Sequence, residues 1–309
     1  MNKNEFDKLL PTLPSDEKKA FTEWYAAHQD VVSWEVFKSQ GYRHVQNLKK
    51  EVEAHVTKVT GKPKQLQLAF MPTKIARTSP FFPMSKKEMA QRPTYNQFVI
   101  ENRWGRITIS GPRLSIYDES VLLALLLLAK RHKSHRFQTT YSVLCEEMKV
   151  SRGANTYKAI GMSLKRLAGA VVDTELYESE QDKKVIESIT GVMVTHVRQQ
   201  EKTSKVEVEI SSYFLSLYGA NLTTSLDLEL RAKLKGDNAK ALYRFLQTHQ
   251  PSKIPFGLLT LCHGININTE LPLPEIRRQI RGAMNELKKH RYILSGVIDK
   301  SDNVYISRV

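Results

Sequence analysis

The chain has 309 residues, long enough for two domains that each bury a core. Its 41% hydrophobic and 26% charged residues match an ordinary soluble globular protein, and two cysteines rule out a disulfide framework. A net charge of +15 points to a polyanionic partner, either nucleic acid or an anionic membrane surface.

Residues 1–60 read as a polar, helix-rich segment. Ser15-Asp16-Glu17-Lys18 supplies a capping hydroxyl and first-turn acids. Trp24, Tyr25, Trp34 and Phe37 form either a small core or a surface for self-association. The start, MNKNEFDKLLPTLPSDEKK, lacks the apolar run of a signal peptide, so a cytoplasmic location is expected. Residues 61–94 carry Pro63, Pro72, Pro80, Pro83 and Pro93 among many basic residues, and read as an extended basic linker.

A first domain is expected at 95–221. Phe98, Ile100, Trp104, Ile107 and Ile109 suggest strands, followed by a helix from 118 to about 130. Its run VLLALLLLA, at 121–129, is too short to span a bilayer and fits a buried helix, so no membrane role is expected. Tyr141, Leu144, Cys145 and Met148 make the inner face of a short helix. Ser151-Arg152-Gly153 supplies turn chemistry, with Gly153 free to take positive φ. A second helix follows, with Tyr157, Ile160, Leu164 and Leu167 inward. Asn155, Lys158, Met162 and Lys165 share its other face, Arg166 lies beside them, and no acid occurs between Ala154 and Ala168. Helix, tight turn and basic helix make a helix-turn-helix. Arg152, Asn155, Lys158, Lys165 and Arg166 are its candidate DNA contacts. Strands at 189–199 and 205–210 would form a wing.

A second domain is expected at 222–309. An amphipathic helix is read at 227–248, a short one at 258–262 and a loop at 264–272. The next helix, PEIRRQIRGAMNELKKHR at 274–291, sets Ile276, Ile280, Met284 and Leu287 on one stripe. Arg278, Arg281, Asn285 and Lys288 lie opposite, with Arg277 beside them. Arginine can read guanine in a major groove, and lysine can neutralise phosphate. A solvated charged face is the alternative for one such helix alone. Strands at 292–298 and 304–309 repeat the wing. The fold class expected is α+β: two tandem winged-helix domains after an N-terminal helical segment and a basic proline-rich linker.

An enzyme lacks its parts in this sequence. There is no G-x-x-x-x-G-K-[ST] phosphate loop, no His-apolar-His pair and no paired-carboxylate constellation. Cys262-His263 has no further ligands near it for zinc, and both cysteines read as buried thiols. No cofactor or metal is expected. A transcriptional repressor is the alternative binding protein, using the same helices and wings.

The segments QLQLAF, ARTSPFF, YSVLCEEM, YKAIGMSLKRL, KALYRFLQTHQPSKIPFGLLTLCHG and ELKKHRYI, in that order between 65 and 293, resemble the TrfA-like family of plasmid replication initiators. The resemblance covers about three quarters of the chain. It implies two winged-helix domains that bind repeated origin sites, called iterons, in double-stranded DNA. It also implies opening of an adjacent AT-rich duplex and recruitment of the host initiator and replicative helicase in the bacterial cytoplasm. QLQLAF further resembles the peptide by which replication proteins dock on the sliding clamp. Gln65 would then bond at a pocket rim, with Leu66, Leu68 and Phe70 as apolar anchors. The other reading of this segment is a short edge strand packed on the first domain.

The missing phosphate loop and metal cluster generate a first expectation. Specific DNA binding by the purified chain should survive a chelator and be indifferent to ATP. An ATP requirement in a duplex titration would overturn it.

Overall fold

The computed structural model describes residues 68–308, apart from 86–87, 90, 92–95, 103–104, 178–183, 201–203, 218–222 and 253. All of these belong to Leu66–Val309, one of two units into which the chain divides. The helical segment expected at 1–60, with Trp24, Tyr25, Trp34 and Phe37, lies outside the described residues, as do Gln65 and Leu66.

The described part of the expected linker is folded, which corrects the sequence reading. Leu68–Pro72 forms strand β1, Thr73–Arg77 the short helix α1, and Phe81–Phe82 strand β2. Ala69, Met71, Ile75, Ala76 and Phe81 are fully buried. Period-two alternation turns Ala69 and Met71 inward and leaves Leu68 and Phe70 half-buried. The prolines do not prevent this. Pro72 ends β1, and Pro80 and Pro83 flank β2, positions where no interior ladder bond is lost.

The first winged-helix unit contains β3 (Asn96–Asn102), β4 (Gly105–Gly111), β5 (Leu114–Ser115), α2 (Ile116–His132), β6 (Arg136–Thr140), α3 (Tyr141–Met148), α4 (Ala154–Gly169), β7 (Val171–Tyr177), β8 (Val185–Val192), β9 (Val194–Gln200), β10 (Lys205–Ile210) and α5 (Ser212–Ser216). Helix α2 opens on a capping box: Asp118 accepts the Ser115 N–H at 2.7 Å, while Ser115 Oγ accepts the Asp118 N–H at 3.4 Å. Val121 through Leu128 are buried without interruption, so every side of this helix is covered. Two antiparallel sheets form, β3-β4-β7-β8 and β6-β10-β9, while β2 pairs with β5 in parallel. The single strand expected at 189–199 is therefore two strands in two sheets. The chain breaks at Met193, whose carbonyl accepts the Ser211 N–H at 3.1 Å, and the Ser211 hydroxyl donates to the Val192 carbonyl.

The second unit contains β11 (Thr223–Asp227), α6 (Leu228–Lys233), α7 (Asp237–Gln247), β12 (Phe256–Gly257), α8 (Leu258–Ile265), α9 (Leu273–Lys289), β13 (Ile293–Ile298) and β14 (Asn303–Arg308). Strand β11 pairs with β1, and β12-β14-β13 form the wing sheet. The long helix expected at 227–248 is a strand end and two helices. Asp227 caps α6 by accepting the Glu229 and Leu230 N–H groups at 2.8 and 3.2 Å. The break at Lys235-Gly236 is satisfied from elsewhere: Glu286 of α9 accepts both their N–H groups. Leu234 is buried within the break, so apolar spacing runs on across it and conceals it.

The two winged-helix parts, both within Leu66–Val309, share a buried ionic cluster. Glu119 of α2 accepts Arg231 Nη2 of α6 at 3.0 Å and Arg244 Nη1 of α7 at 2.8 Å. Glu119 and Arg244 have no exposure, and the Arg231 side chain has 3%. Arg244 Nε also donates to the Ala76 carbonyl at 3.3 Å. Breaking such a cluster by removing one member leaves uncompensated buried charge. Glu119→Ala should thus cost about 3–5 kcal/mol. Replacing all three by apolar residues of similar volume should cost far less, or nothing. Denaturant unfolding of the two variants checks this; a loss below about 1 kcal/mol for Glu119→Ala would sink the assignment.

Candidate nucleic-acid interface

Thr140 caps α3, its Oγ1 accepting the Val143 N–H at 3.2 Å. Helix α3 ends at Lys149, which is left-handed (φ 55°), with the Val150 N–H returning to the Cys145 carbonyl at 2.9 Å. Gly153, expected to take positive φ, is instead extended. The turn's left-handed residue is a lysine, which carries no sequence signal for that role. Tyr141 and Tyr157 stack at 5.5 Å and join the two helices. The wing is tied to α4 at Gly161, whose carbonyl accepts Gln199 Nε2 of β9 at 3.1 Å. A Cβ on Gly161 would lie 3.1 Å from the Tyr141 hydroxyl and 3.3 Å from Gln199 Oε1, so any side chain here would crowd both.

The outward face of α4 exposes Asn155, Lys158, Met162 and Lys165. Arg152 is exposed beside it and forms a long 3.5 Å pair with Glu146. Arg166, the remaining candidate on this helix, is engaged within the fold. Its guanidinium forks onto Asp118, with Nη2 at 2.6 Å and Nε at 3.1 Å from Oδ1, and Asp118 has no exposure. Arg166 fastens α4 to the start of α2.

Helix α9 buries Ile276, Ile280, Ala283, Met284 and Leu287 and exposes Arg278, Arg281, Asn285 and Lys288. Arg277 is likewise paired within the fold. Its Nε and Nη2 donate to the two oxygens of Asp302, in the wing turn, at 2.7 and 2.8 Å. Arg277 holds the Asp302 carboxyl below the usual carboxylate range, so the clasp is intact at neutral pH. The stability it contributes is lost only as pH falls through that lowered pKa. Asp299 shapes the same turn by accepting the Ser301 and Asn303 N–H groups at 2.8 and 2.9 Å. Arg278 is 74% exposed but pairs with Glu275 one turn back, at 2.6 and 2.7 Å. Among the described residues, Lys158, Lys165, Arg281 and Lys288 form no ion pair at 4 Å or less.

Cations on the wings were missed from the sequence. Arg198 and Lys205 are exposed on β9 and β10, and Lys300 is exposed in the second wing turn. The turn composition of residues 299–303 was the available signal for Lys300. Leu68 and Phe70 do not lie in an accessible peptide. β1 is paired along its length with β11, and Lys130 of α2 sits 4.1 Å over the Phe70 ring. Cys145 and Cys262 are free and buried as expected, and burial pushes the Cys262 thiol up to about 12. Among the described residues no group of three or more His, Cys, Asp or Glu is placed to hold a metal ion. No helix among them is long and apolar enough to cross a membrane.

Two winged-helix units, each offering an exposed basic helix beside its own wing, define a DNA-binding protein. The chain belongs to the Replication initiator protein A family, whose model matches residues 75–264. It is a replication initiator. Its fold is similar to that of domains 2 and 3 of RctB, with a TM-score of 0.53 at 12% identity over 77% of this chain and 98% of that one. A second structure of RctB domains 2–3 gives 0.51 at 11% identity, over 77% and 97%. A crystal structure of the Pi initiator protein in complex with iteron DNA gives 0.47 at 11% identity, over 79% and 98%. No curated protein matches the chain.

The Glu275–Arg278 pair yields a prediction. Arg278 holds the Glu275 carboxyl down at about 2, so no physiological pH change releases the arginine. Glu275→Gln removes an acid beside the outward face and frees Arg278 for phosphate or base. Duplex binding should tighten severalfold at low salt, with a steeper salt dependence. Unchanged affinity and slope in a salt titration would show that Arg278 lies off the interface.

Proposed function

We propose that this initiator binds repeated origin sites in double-stranded plasmid DNA, placing α4 and α9 in successive major grooves and its wings on the adjoining backbone. The observation that carries this reading is the repeated construction. In both units a helix buries one stripe, exposes lysine and asparagine on the other, and has a wing tied to its side, with exposed arginines added on α9. A site of roughly 20 bp follows from two recognition helices one helical turn apart. Asn155, Lys158, Lys165, Arg281, Asn285 and Lys288 are the contacts we assign, with Arg152 and Arg278 reachable by breaking exposed pairs. Met162 adds an apolar surface suited to a thymine methyl.

In this reading the chain is a binding protein without catalytic activity, acting in the bacterial cytoplasm on its plasmid. It opens an adjacent AT-rich duplex and draws in the host initiator and replicative helicase. The sliding clamp is left out. Reaching Leu68 and Phe70 would mean peeling β1 from β11 and exposing Ala69 and Met71. A repressor would use the same helices on an isolated operator. Protection mapping separates the two: an initiator gives a ladder of equally spaced protected repeats at the origin.

The contacts can be tested singly. Arg281→Ala should cost about 1–3 kcal/mol and relax base preference at one position, as loss of a bidentate guanine contact would. Lys165→Ala should weaken all sequences alike and reduce the salt slope by about 1. A titration in which both variants bind like wild type would remove both helices from the interface.

A further inference from the structure

Helix α9 contains one residue that its fold does not explain. Gly282 lies in the middle of this 17-residue helix, on the exposed side. Glycine is a poor choice there. It loses more backbone entropy on folding than alanine and leaves the helix less stable. Packing usually justifies such a glycine: a Cβ on Gly264 of α8 would fall 2.3 Å from the Phe245 ring, and one on Gly161 would crowd Tyr141 and Gln199. At Gly282 a Cβ meets nothing within 4 Å, the helix's own local backbone aside. Its φ is not in the left-handed region. Among the described residues, neither sterics nor backbone conformation therefore requires glycine.

Its neighbours point outside the chain. Gly282 stands one turn after Arg278 and one turn before Asn285 on the same exposed stripe, with Arg281 adjacent. We propose that Gly282 is the point of closest approach between α9 and DNA. The absent side chain lets base edges in the major groove reach the helix backbone. That depth is what brings Arg278, Arg281 and Asn285 within reach of the bases from either side. A methyl group at this point would hold the helix out of the groove and weaken those contacts together. Glycine thus serves here for close backbone approach to a ligand. The inference rests on reading α9 as a groove-bound helix, and it adds a specificity-determining position that carries no polar group.

Stability and binding should move in opposite directions, which a merely structural glycine would not produce. The probes are a duplex selected by the wild-type chain from a random pool and an unrelated duplex of equal length. Gly282→Ala should raise the melting temperature by about 2–4 °C, the scale expected for a helix-interior glycine replaced in a domain of this size. It should weaken the selected duplex about tenfold, the scale of a lost base contact, while the unrelated duplex changes little. Gly282→Leu should weaken the selected duplex further. If Gly282→Ala binds the selected duplex as tightly as wild type, or melts lower, the inference is overturned. Arg281→Ala, run in parallel, separates the two levels. If it weakens the selected duplex and Gly282→Ala does not, only this inference fails. If neither weakens it, α9 is not in the groove and the underlying reading fails as well.

Discussion

Glu119 holds the guanidinium groups of Arg231 at 3.0 Å and Arg244 at 2.8 Å, almost entirely out of solvent. Glu119 belongs to the central helix of the first winged-helix unit, and the arginines belong to the two helices that open the second. Apolar surfaces tolerate sliding, because one methyl contact replaces another. A buried ion cluster does not, since a small displacement leaves a charge unpaired in a low-dielectric interior. The cluster therefore fixes the registry of the two units more sharply than the apolar contacts around it. The cluster is not built for maximal stability: Glu119 Oε1, Arg231 Nε and Arg244 Nη2 are buried without hydrogen-bond partners among the described residues. Burial pushes the Arg244 pKa down, opposed by Glu119. Such a network contributes registry more than free energy, and registry is what the proposed presentation of two helices to one duplex would need.

The same accounting of carboxylates sorts the basic residues of the interface. Asp118 takes Arg166, Asp302 takes Arg277, and Glu275 takes Arg278. The first pair has a fully buried acid and fixes α4 on α2. The second is partly exposed and clasps the wing to α9. The third is a surface pair one helical turn apart, weak enough for a phosphate to displace. What remains on the outward stripes, Lys158, Lys165, Arg281 and Lys288, is the set without an ion pair among the described residues. A helical wheel places all seven on or beside the same faces and cannot make this distinction.

Where local pattern decided the structure, the sequence was legible. The apolar stripes of α3, α4 and α9, the run in α2 and the alternation in β10 each gave the element within a few residues of its observed bounds. The misreadings come from partners distant in sequence. Residues 68–84 are folded because β11 supplies ladder partners to β1 and Asn266 donates to the Ser79 and Phe81 carbonyls at 2.6 and 2.9 Å. The break between α6 and α7 survives because Glu286, 50 residues on, accepts the Gly236 N–H. The break at Met193 depends on Ser211. The partners of Arg166 and Arg277 are hidden for the same reason, since their acids lie 48 and 25 residues away. Composition and period report what a segment could do alone, whereas ion pairs and caps report what meets it.

These pairings also divide the labour of binding between sequence and salt. A cation that neutralises a phosphate releases counterions and adds to the salt slope, whatever the sequence. A guanidinium that forks onto guanine adds discrimination instead. The wing cations Arg198, Lys205 and Lys300 lie on strands and a turn, beside the recognition helices rather than on them, as suits phosphate contacts. Arg281 and Asn285 lie on the helix itself, one turn apart, as suits base edges. The Arg277–Asp302 clasp joins these two functions mechanically. It fixes the distance between the wing turn and α9, so in the proposed complex a wing seated on phosphate would set the depth of the helix. Anything that lengthens that distance, or thickens the helix on its outward side, moves the reading groups away from the bases while leaving the electrostatic attraction in place.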